Sequence, residues 1–241
     1  MTYELYYWDG IQGRGEFVRL ALEDAGADYV DVTRVPHRGT GEMLKLMKST
    51  NQAQVPFAPP FLRDGDLTVS HVANILSYLG PKLGLAPEDE ALRWFANGLQ
   101  LTITDFIAEV HDTHHPIATS KYYEEQKEEA KARAFEFVAN RMPKFLGYFE
   151  RVLSQNPDGG GHAVGNTTTY VDLSLFQVIE GLSYAFPKAM RHYEQQYPKL
   201  LALHASVKAR PNIATYIASP RRLAFNEDGI FRRYPELDIE P

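Results

Sequence analysis

Residues 3–22 read YELYYWDGIQGRGEFVRLAL and combine a strand, a glycine-rich turn and a helix in one stretch. Leu5–Trp8 is a short apolar and aromatic run, typical of a buried strand. Gly10–Gly15 contains three glycines and favours a turn, and Phe17–Leu22 has the i, i+3, i+4 spacing of a helix face. Tyr7 would then lie where the strand ends and close to the start of the helix. Because ligands bind at this edge of open α/β sheets and helix amino ends favour anions, the stretch predicts a small anionic ligand beside a phenol.

The composition limits the kind of protein that this can be. The chain has 241 residues, of which 44% are hydrophobic and 23% are charged, enough for one large or two modest globular domains. A net charge of −6 argues against nucleic acid as a main partner. We recognise neither a signal peptide nor an apolar run long enough to cross a membrane, so secretion and a membrane span are not expected. No cysteine is present, which excludes disulfides and a cysteine nucleophile and makes the cytoplasm the expected location.

The first third of the chain predicts a small α/β unit. After the opening strand and helix, residues 27–34 alternate as a second strand does, and residues 35–50 allow one or two helical turns. Residues 54–62 and 67–69 read as two strands of a hairpin joined by an Asp-Gly turn, and residues 70–79 read as a helix. The predicted order is βαβαββα.

The remainder of the chain is predicted to be helical. The sequence changes character at Gly80-Pro81 and at the acidic stretch 87–90. Apolar residues at helical spacing then predict helices at residues 91–110, 122–150, 170–186 and 197–209, the second of them kinked or divided by Pro143. The fold class is therefore α+β with two domains.

Four stretches resemble the cytosolic glutathione S-transferases, and the resemblance covers nearly the whole chain. The first is LYYW followed by QGRGE, similar to the tyrosine-type pi, mu, alpha and sigma classes but with a slightly longer loop. The others are QVP at 54–56 with DGDLT at 64–68 and ILSYLG at 75–80, VGNTTTYVD at 164–172, and ARP at 209–211 with ASP at 218–220. In the third stretch Thr169 and Asp172 form a capping box ahead of an apolar helix, which is a structural feature.

The resemblance implies both architecture and activity. It implies a thioredoxin-like glutathione-binding domain at residues 1–83 and an all-helical domain with the second-substrate pocket at 88–222. A tail at 223–241 would lie over the active-site mouth, on a neighbouring subunit or along the surface. The implied enzyme is a cytoplasmic, homodimeric glutathione S-transferase for detoxification, which activates the thiol of its co-substrate glutathione to attack a small hydrophobic electrophile. A glutathione-dependent isomerase or peroxidase and a non-catalytic ligand-binding protein are the alternatives. We expect a diverged member of the family, and a bacterial source is left open.

Tyr7 matches the catalytic tyrosine of the family. A thiol with a pKa near 8.5 is only about 3% ionised at pH 7, and a phenol that donates a hydrogen bond to the sulfur favours the thiolate. Tyr6 is the fallback, since alternation along a strand places the two tyrosines on opposite faces. Arg14 matches the arginine that follows the catalytic strand and supports the loop or the anionic ligand. The resemblance also assigns Trp8 to glutathione binding.

The next predicted contacts to glutathione come from the segment before the hairpin. Val55-Pro56 resembles the cis-proline unit of the family, whose preceding residue pairs with the cysteinyl backbone of glutathione as an added strand would. Gln54 would lie beside it. Lys45 and Lys48 fall where relatives place a basic residue for the glycine carboxylate, although exposed lysines are the common alternative.

The start of the third predicted helix departs from the family pattern. The family has Gln or Glu followed by Ser or Thr where this chain has His71 and Val72. Since valine has no hydroxyl to cap the helix or bind the γ-glutamyl carboxylate, the ligand would rely on backbone N–H groups, Ser70 or His71. We therefore expect weaker or rearranged glutathione binding.

The second-substrate pocket is predicted at Trp8, Gly10, His111 and His115. His111 and His115 are four residues apart, a spacing that suits a metal. A third ligand with matching spacing is not evident, because Asp112 would lie on another side of the helix. No metal is therefore expected.

Overall fold

The computed structural model describes residues 2–240 and contains a four-stranded mixed sheet followed by a helical region. The strands are β1 (Tyr3–Tyr6), β2 (Tyr29–Asp31), β3 (Phe61–Asp64) and β4 (Leu67–Ser70). Their spatial order is β2-β1-β3-β4, with β1 parallel to β2 and antiparallel to β3, and β3 antiparallel to β4. Three helices accompany the sheet: α1 (Gly15–Asp24), α2 (Gly39–Met47) and α3 (Val72–Leu83).

Side chains from both faces of β1 lie in hydrophobic cores. Leu5 packs with Val18 of α1 and Ile75 of α3, whereas its neighbour Tyr6 packs with Met43 of α2 on the opposite face. This is the alternation that the period of a strand requires. It places α1 and α3 on one face of the sheet and α2 on the other.

The helical region is built around one almost wholly buried helix. Its helices are α4 (Glu90–Asp112), α5 (Lys127–Glu136), α6 (Met142–Gln155), α7 (Tyr170–Ala185), α8 (Pro187–Tyr193), α9 (Pro198–Lys208) and α10 (Pro211–Ile217). The apolar helix α7 packs against α4, α9 and α1. The predicted division at Pro143 is confirmed, because a wide helical turn at Phe137–Arg141 separates α5 from α6, whose first turn contains the proline.

Two sequence-based expectations about helices need correction. Pro81 lies inside α3 and does not end it, and the helix stops only at Gly84, whose φ of 68° suits glycine. The short helices α8 and α10 were not predicted. Each begins with proline in its first turn, a position where the missing N–H costs nothing.

The predicted capping box at the start of α7 is confirmed. The Thr169 hydroxyl accepts a hydrogen bond from the Val171 N–H at 3.3 Å, and the Asp172 carboxylate accepts one from the Thr169 N–H at 2.7 Å. The same carboxylate also accepts the Ala163 N–H at 2.8 Å, so it ties the preceding loop to the helix. Both side chains are buried, which makes the box part of the core.

The C-terminal tail lies on the loop that follows β1. The Asn226 amide donates to the Gly10 carbonyl at 2.9 Å, and the Gln12 amide donates to the Leu223 carbonyl at 2.5 Å. Further along, Asp238 accepts the first N–H groups of α8. The tail therefore helps to position the loop between β1 and α1. Within residues 2–240, no helix is long and apolar enough to cross a membrane.

Candidate active site between the sheet and α4

A cavity of about 340 Å³ lies between the N-terminal unit and α4. One wall comes from the start of α1, the segment before β3 and the start of α3, and the other comes from one face of α4. The lining residues are Arg14, Phe17, Phe57, Ala58, Pro59, Pro60, Ser70, His71, Val72, Gln100, Ile103, Thr104 and Ile107. The wall is mostly apolar with a few polar groups, which suits a small ligand that has one charged and one hydrophobic part.

Tyr7 directly follows β1 and is 4% exposed. Its hydroxyl oxygen accepts a hydrogen bond from the Arg14 N–H at 2.8 Å. The loop approaches the ring so closely that a side chain on either Gly13 or Gly15 would collide with it: a Cβ on Gly15 would lie 2.6 Å from Cγ of Tyr7. The glycines of the opening stretch are thus required by the position of this tyrosine.

The Tyr7 hydroxyl remains protonated at neutral pH. Burial raises the pKa of Tyr7, and this effect outweighs the N–H of Arg14 and the positive charges of Arg14 and Arg19, which act in the opposite direction. A protonated phenol whose oxygen already accepts an N–H still has its own proton to donate. Tyr7 itself is not among the residues that line the cavity, but Arg14, its hydrogen-bond donor, is.

Tyr6, the fallback for the catalytic tyrosine, points away from the cavity. Its ring stacks on Phe61 at 4.6 Å, and its hydroxyl donates to Glu4 at 3.0 Å. Arg38 donates to the same hydroxyl and also pairs with Glu42. Burial and the neighbouring carboxylates raise the pKa of Tyr6. These contacts give it a structural role on the α2 face of the sheet.

Arg14 provides the cationic group on the cavity wall. It precedes α1, and among residues 2–240 its guanidinium has no ion pair. The predicted support of an anionic ligand by Arg14 therefore agrees with its place, and it stays a prediction.

The start of α3 contributes Ser70, His71 and Val72 to the same wall. His71 has a φ of 73°, which is unusual for a residue other than glycine, and its side chain makes no capping hydrogen bond. The first N–H groups of α3 therefore lack a capping side chain where this helix reaches the cavity wall. Uncapped N–H groups at a helix start favour a carboxylate.

The expectation of a cis bond at Val55-Pro56 is wrong. The cis peptide bond lies between Pro59 and Pro60, directly before β3, and both prolines line the cavity. Pro59 has no N–H, so it offers a ligand only its carbonyl. Val55 and Pro56 do not line the cavity, and Gln54 instead accepts the Thr68 N–H at 2.8 Å and so holds the segment to β4.

Other predicted site residues also lie off the cavity wall. Lys45 and Lys48 are exposed on or just after α2, and Trp8 and Gly10 lie in the exposed part of the loop after β1. Their roles stay predictions. The residues that the sequence reasoning missed are those before β3, Phe17 and the four on α4. Successive positions of α4 at i, i+3, i+4 and i+7 (100, 103, 104 and 107) form one helical stripe, but this spacing describes a core face equally well.

Gln100 is the polar group of this wall with no assigned partner. It is 1% exposed, and its Oε1 atom has no hydrogen-bond partner among the described residues. A buried amide without a partner is costly unless a ligand completes its hydrogen bonds. Together with Thr104, Gln100 adds polar character to a wall otherwise formed by isoleucines.

His111 and His115 lie beyond the cavity, at the carboxyl end of α4. The sequence reasoning found no third metal ligand of matching spacing beside them, and the structure brings a third histidine close. His114 joins the pair, and one ligand atom from each of the three side chains lies within 4.8 Å of the others. Burial, followed by nearby positive charges such as Arg14 or Arg232, lowers the pKa of His111 and His115, and burial likewise lowers that of His114.

The helical region matches the family model described as "Glutathione S-transferase, C-terminal domain" over residues 111–220. A glutathione S-transferase of Plasmodium falciparum is 25% identical over 226 residues, which cover 92% of this chain and 97% of that protein. A glutathione S-transferase P of Bos taurus is also 25% identical, covering 92% of this chain and 94% of that protein. The chain is therefore similar to the glutathione S-transferases over nearly its whole length, and its helical region matches their C-terminal domain.

Solved structures agree with this family fold. The pi-class glutathione S-transferase of Onchocerca volvulus superposes with a TM-score of 0.69 at 22% identity, over 90% of this chain and 92% of that one. The prostaglandin synthase D of Nilaparvata lugens gives 0.69 at 20% identity, over 91% and 98%. The resemblance, the two-part fold class and the enzyme family expected from the sequence are therefore confirmed.

Proposed function

We propose that this transferase family member binds glutathione in the cavity between the sheet and α4 and transfers its thiolate to a small hydrophobic electrophile in the cytoplasm. The observation that carries the proposal is the Tyr7 hydroxyl, which accepts the Arg14 N–H while keeping its own proton. A donor of this kind stabilises a thiolate more than a thiol.

The peptide part of glutathione fits the N-terminal wall. The uncapped start of α3 with Ser70 and His71 would receive the γ-glutamyl carboxylate, and the Pro59 carbonyl would accept the cysteinyl N–H. Arg14 adds the positive charge that an anionic ligand requires. Val72 lacks the hydroxyl that a serine would offer, and Pro59 lacks the backbone N–H of other residues. We therefore expect glutathione to bind more weakly than in a site that has both the hydroxyl and the N–H.

The electrophile would lie against α4. Ile103 and Ile107 provide the apolar contact, and Gln100 and Thr104 provide the polar ones. This wall would select hydrophobic compounds with one hydrogen-bonding group near the reactive carbon. The apolar wall would limit the water around the thiolate, and a less hydrated thiolate is the stronger nucleophile.

We further propose that the protein works as a homodimer. Phe57, on the rim of the cavity, is 98% exposed, and Trp94 and Leu101 are large exposed residues seven positions apart on α4. Packing of these side chains against a second subunit would remove their apolar surface from water, which favours association. Sedimentation of the wild type and Phe57→Ser would show a shift towards monomer in the variant.

Glutathione calorimetry followed by a conjugation assay with an activated aryl chloride tests the proposed function. Binding together with conjugation supports the transferase. Binding without conjugation, but with turnover of a hydroperoxide or an isomerisable ketone, would replace it by the peroxidase or isomerase alternative. No binding at millimolar glutathione would leave the ligand-binding alternative, with His71 and Val72 as the cause.

A further inference from the structure

Three histidines converge at the carboxyl end of α4. The N–H groups of His114 and His115 both donate to the His111 carbonyl at 3.2 Å, so the backbone keeps turning after the helix ends. This places the three rings side by side, with centroids 4.8 to 5.2 Å apart. His111 lies inside α4, and His114 and His115 follow it. His114 thus joins the i, i+4 pair formed by His111 and His115.

The backbone fixes the orientation of the middle ring. Nε2 of His114 lies 2.8 Å from the carbonyl oxygen of Ile230 in the C-terminal tail. A carbonyl only accepts, so Nε2 carries the proton and Nδ1 presents its lone pair. Metal-binding histidines are oriented in this way, with one ring nitrogen on a backbone carbonyl and the other free for the metal.

The lone pair of His114 faces the neighbouring ring. Its Nδ1 atom lies 2.5 Å from Nδ1 of His115 and accepts the proton of that nitrogen, a hydrogen bond that a metal would replace once the His115 proton moves to its Nε2 atom. Tetrahedral zinc, with Zn–N bonds of about 2.0–2.1 Å, would hold its ligand nitrogens roughly 3.3 Å apart. Since the candidate ligand atoms already lie within 4.8 Å of one another, modest ring rotations would form the site.

The donor set and its surroundings favour a transition metal. All three candidate ligands are imidazoles, and the nearest carboxylate oxygen recorded is Oδ1 of Asp112, 3.7 Å from the His111 ring and outside hydrogen-bond range. Imidazole ligands suit Zn²⁺, Cu²⁺ and Ni²⁺ more than Mg²⁺ or Ca²⁺. Arg14 and Arg232 bring positive charge near the cluster, which opposes a bound cation and has to be outweighed by the three metal–imidazole bonds.

We propose that His111, His114 and His115 form a three-histidine site for a divalent transition metal, zinc foremost, at the junction of α4 and the C-terminal tail. The metal would hold the three rings in one arrangement and, through the Ile230 carbonyl, fix the tail against the end of α4. The site does not depend on the proposed glutathione chemistry, because none of its ligands lines the cavity.

The test uses the full chain without a histidine tag, stripped of metal by chelation. Titration with Co²⁺ should give the visible absorption of a tetrahedral complex at one equivalent per chain, and Zn²⁺ should displace it. His111→Asn and His115→Gln should each lose at least about tenfold in affinity. His192→Gln, an exposed histidine on α8, is the matched control and should bind as the wild type does.

Circular dichroism and thermal unfolding of each variant separate loss of a ligand from loss of the fold. The half-buried His111 is the safer variant, and Zn²⁺ should raise the melting temperature of the wild type and of His192→Gln but not of His111→Asn. The proposal is overturned if the wild type takes up no stoichiometric Co²⁺ or Zn²⁺, or if His111→Asn and His115→Gln bind as well as the control. A glutathione titration on the same samples tests the cavity separately.

Discussion

Gly15→Ala tests whether the close contact between the loop and Tyr7 positions the candidate active site. Gly15 is the first residue of α1 and has no positive φ, so alanine suits its backbone and would by itself stabilise the helix by about 0.5–1 kcal/mol. The added Cβ, however, would lie 2.6 Å from Cγ and 2.9 Å from Cβ of Tyr7. These atoms sit next to the backbone, so the tyrosine cannot rotate away from the collision.

Overpacking of this kind costs about 1–3 kcal/mol, which leaves a net destabilisation of about 0–2.5 kcal/mol after the gain in helix propensity. For a protein of this size that corresponds to a fall in melting temperature of up to roughly 10 °C. The hydroxyl should shift with the ring, so the pKa of bound glutathione should rise as well. Urea unfolding and the thiolate absorbance of bound glutathione measure the two effects.

Gly41→Ala is the matched control for this experiment. Gly41 also lies in the first turn of a helix, α2, and a Cβ there would meet nothing within 4 Å. It should stabilise the protein by up to about 1 kcal/mol and leave the thiolate unchanged. The reasoning is refuted if Gly15→Ala is as stable as Gly41→Ala and keeps the thiolate of the wild type.

Three further changes probe the core, the cavity and the dependence of stability on pH. Thr169→Ala should lower the free energy of unfolding by about 1–2 kcal/mol in urea, because the α7 cap is lost. The half-buried Thr102, whose hydroxyl only donates to the Gly98 carbonyl within α4, is the control, and Thr102→Ala should stay within about 0.5 kcal/mol. Gln100→Leu should leave the free energy of unfolding unchanged or raise it by about 1 kcal/mol, because it removes an unpartnered buried oxygen. It should also slow conjugation of electrophiles that carry an N–H or O–H more than conjugation of purely apolar ones. Equal slowing of both would contradict this. Burial alone would raise the pKa of Glu180, but the hydrogen bond and charge of His204 outweigh burial and hold this pKa at about 2, below the usual 4.5. The contribution of the ionised Glu180 to the free energy of unfolding should therefore be complete above pH 4.5 and be lost as the pH falls towards 2. Glu180→Gln should flatten that part of the stability–pH curve, and an unchanged acid limb would count against the pair.

The sequence was most informative where a feature depends on neighbouring residues. The opening strand, turn and helix and the box at Thr169 and Asp172 are local patterns, and the structure contains each of them. The glycines at 13 and 15 were expected as turn residues. Their tight packing on the Tyr7 ring could not be foreseen, because it depends on how the loop folds back over the strand.

The features that sequence could not supply depend on tertiary contacts or on the isomer of one bond. Two candidate proline sites lie within a few residues, and sequence alone does not state which X–Pro bond is cis; the structure places it at Pro59-Pro60. In the sequence, the stripe of α4 that includes Gln100 looks like an ordinary core face. Only the tertiary structure shows that it lies opposite the N-terminal unit across the cavity. His114 joins His111 only because the backbone continues to turn beyond the helix, which the i, i+4 rule for a helix does not cover.

The most direct test of the proposed chemistry is the pH dependence of thiolate absorbance for bound glutathione in the wild type, Tyr7→Phe and Tyr6→Phe. The account predicts thiolate at neutral pH in the wild type and in Tyr6→Phe, and loss of thiolate with retained binding in Tyr7→Phe, because only Tyr7 combines the Arg14 N–H with a free proton near the cavity. A wild-type thiolate that persists unchanged in Tyr7→Phe would contradict the central role of this hydroxyl.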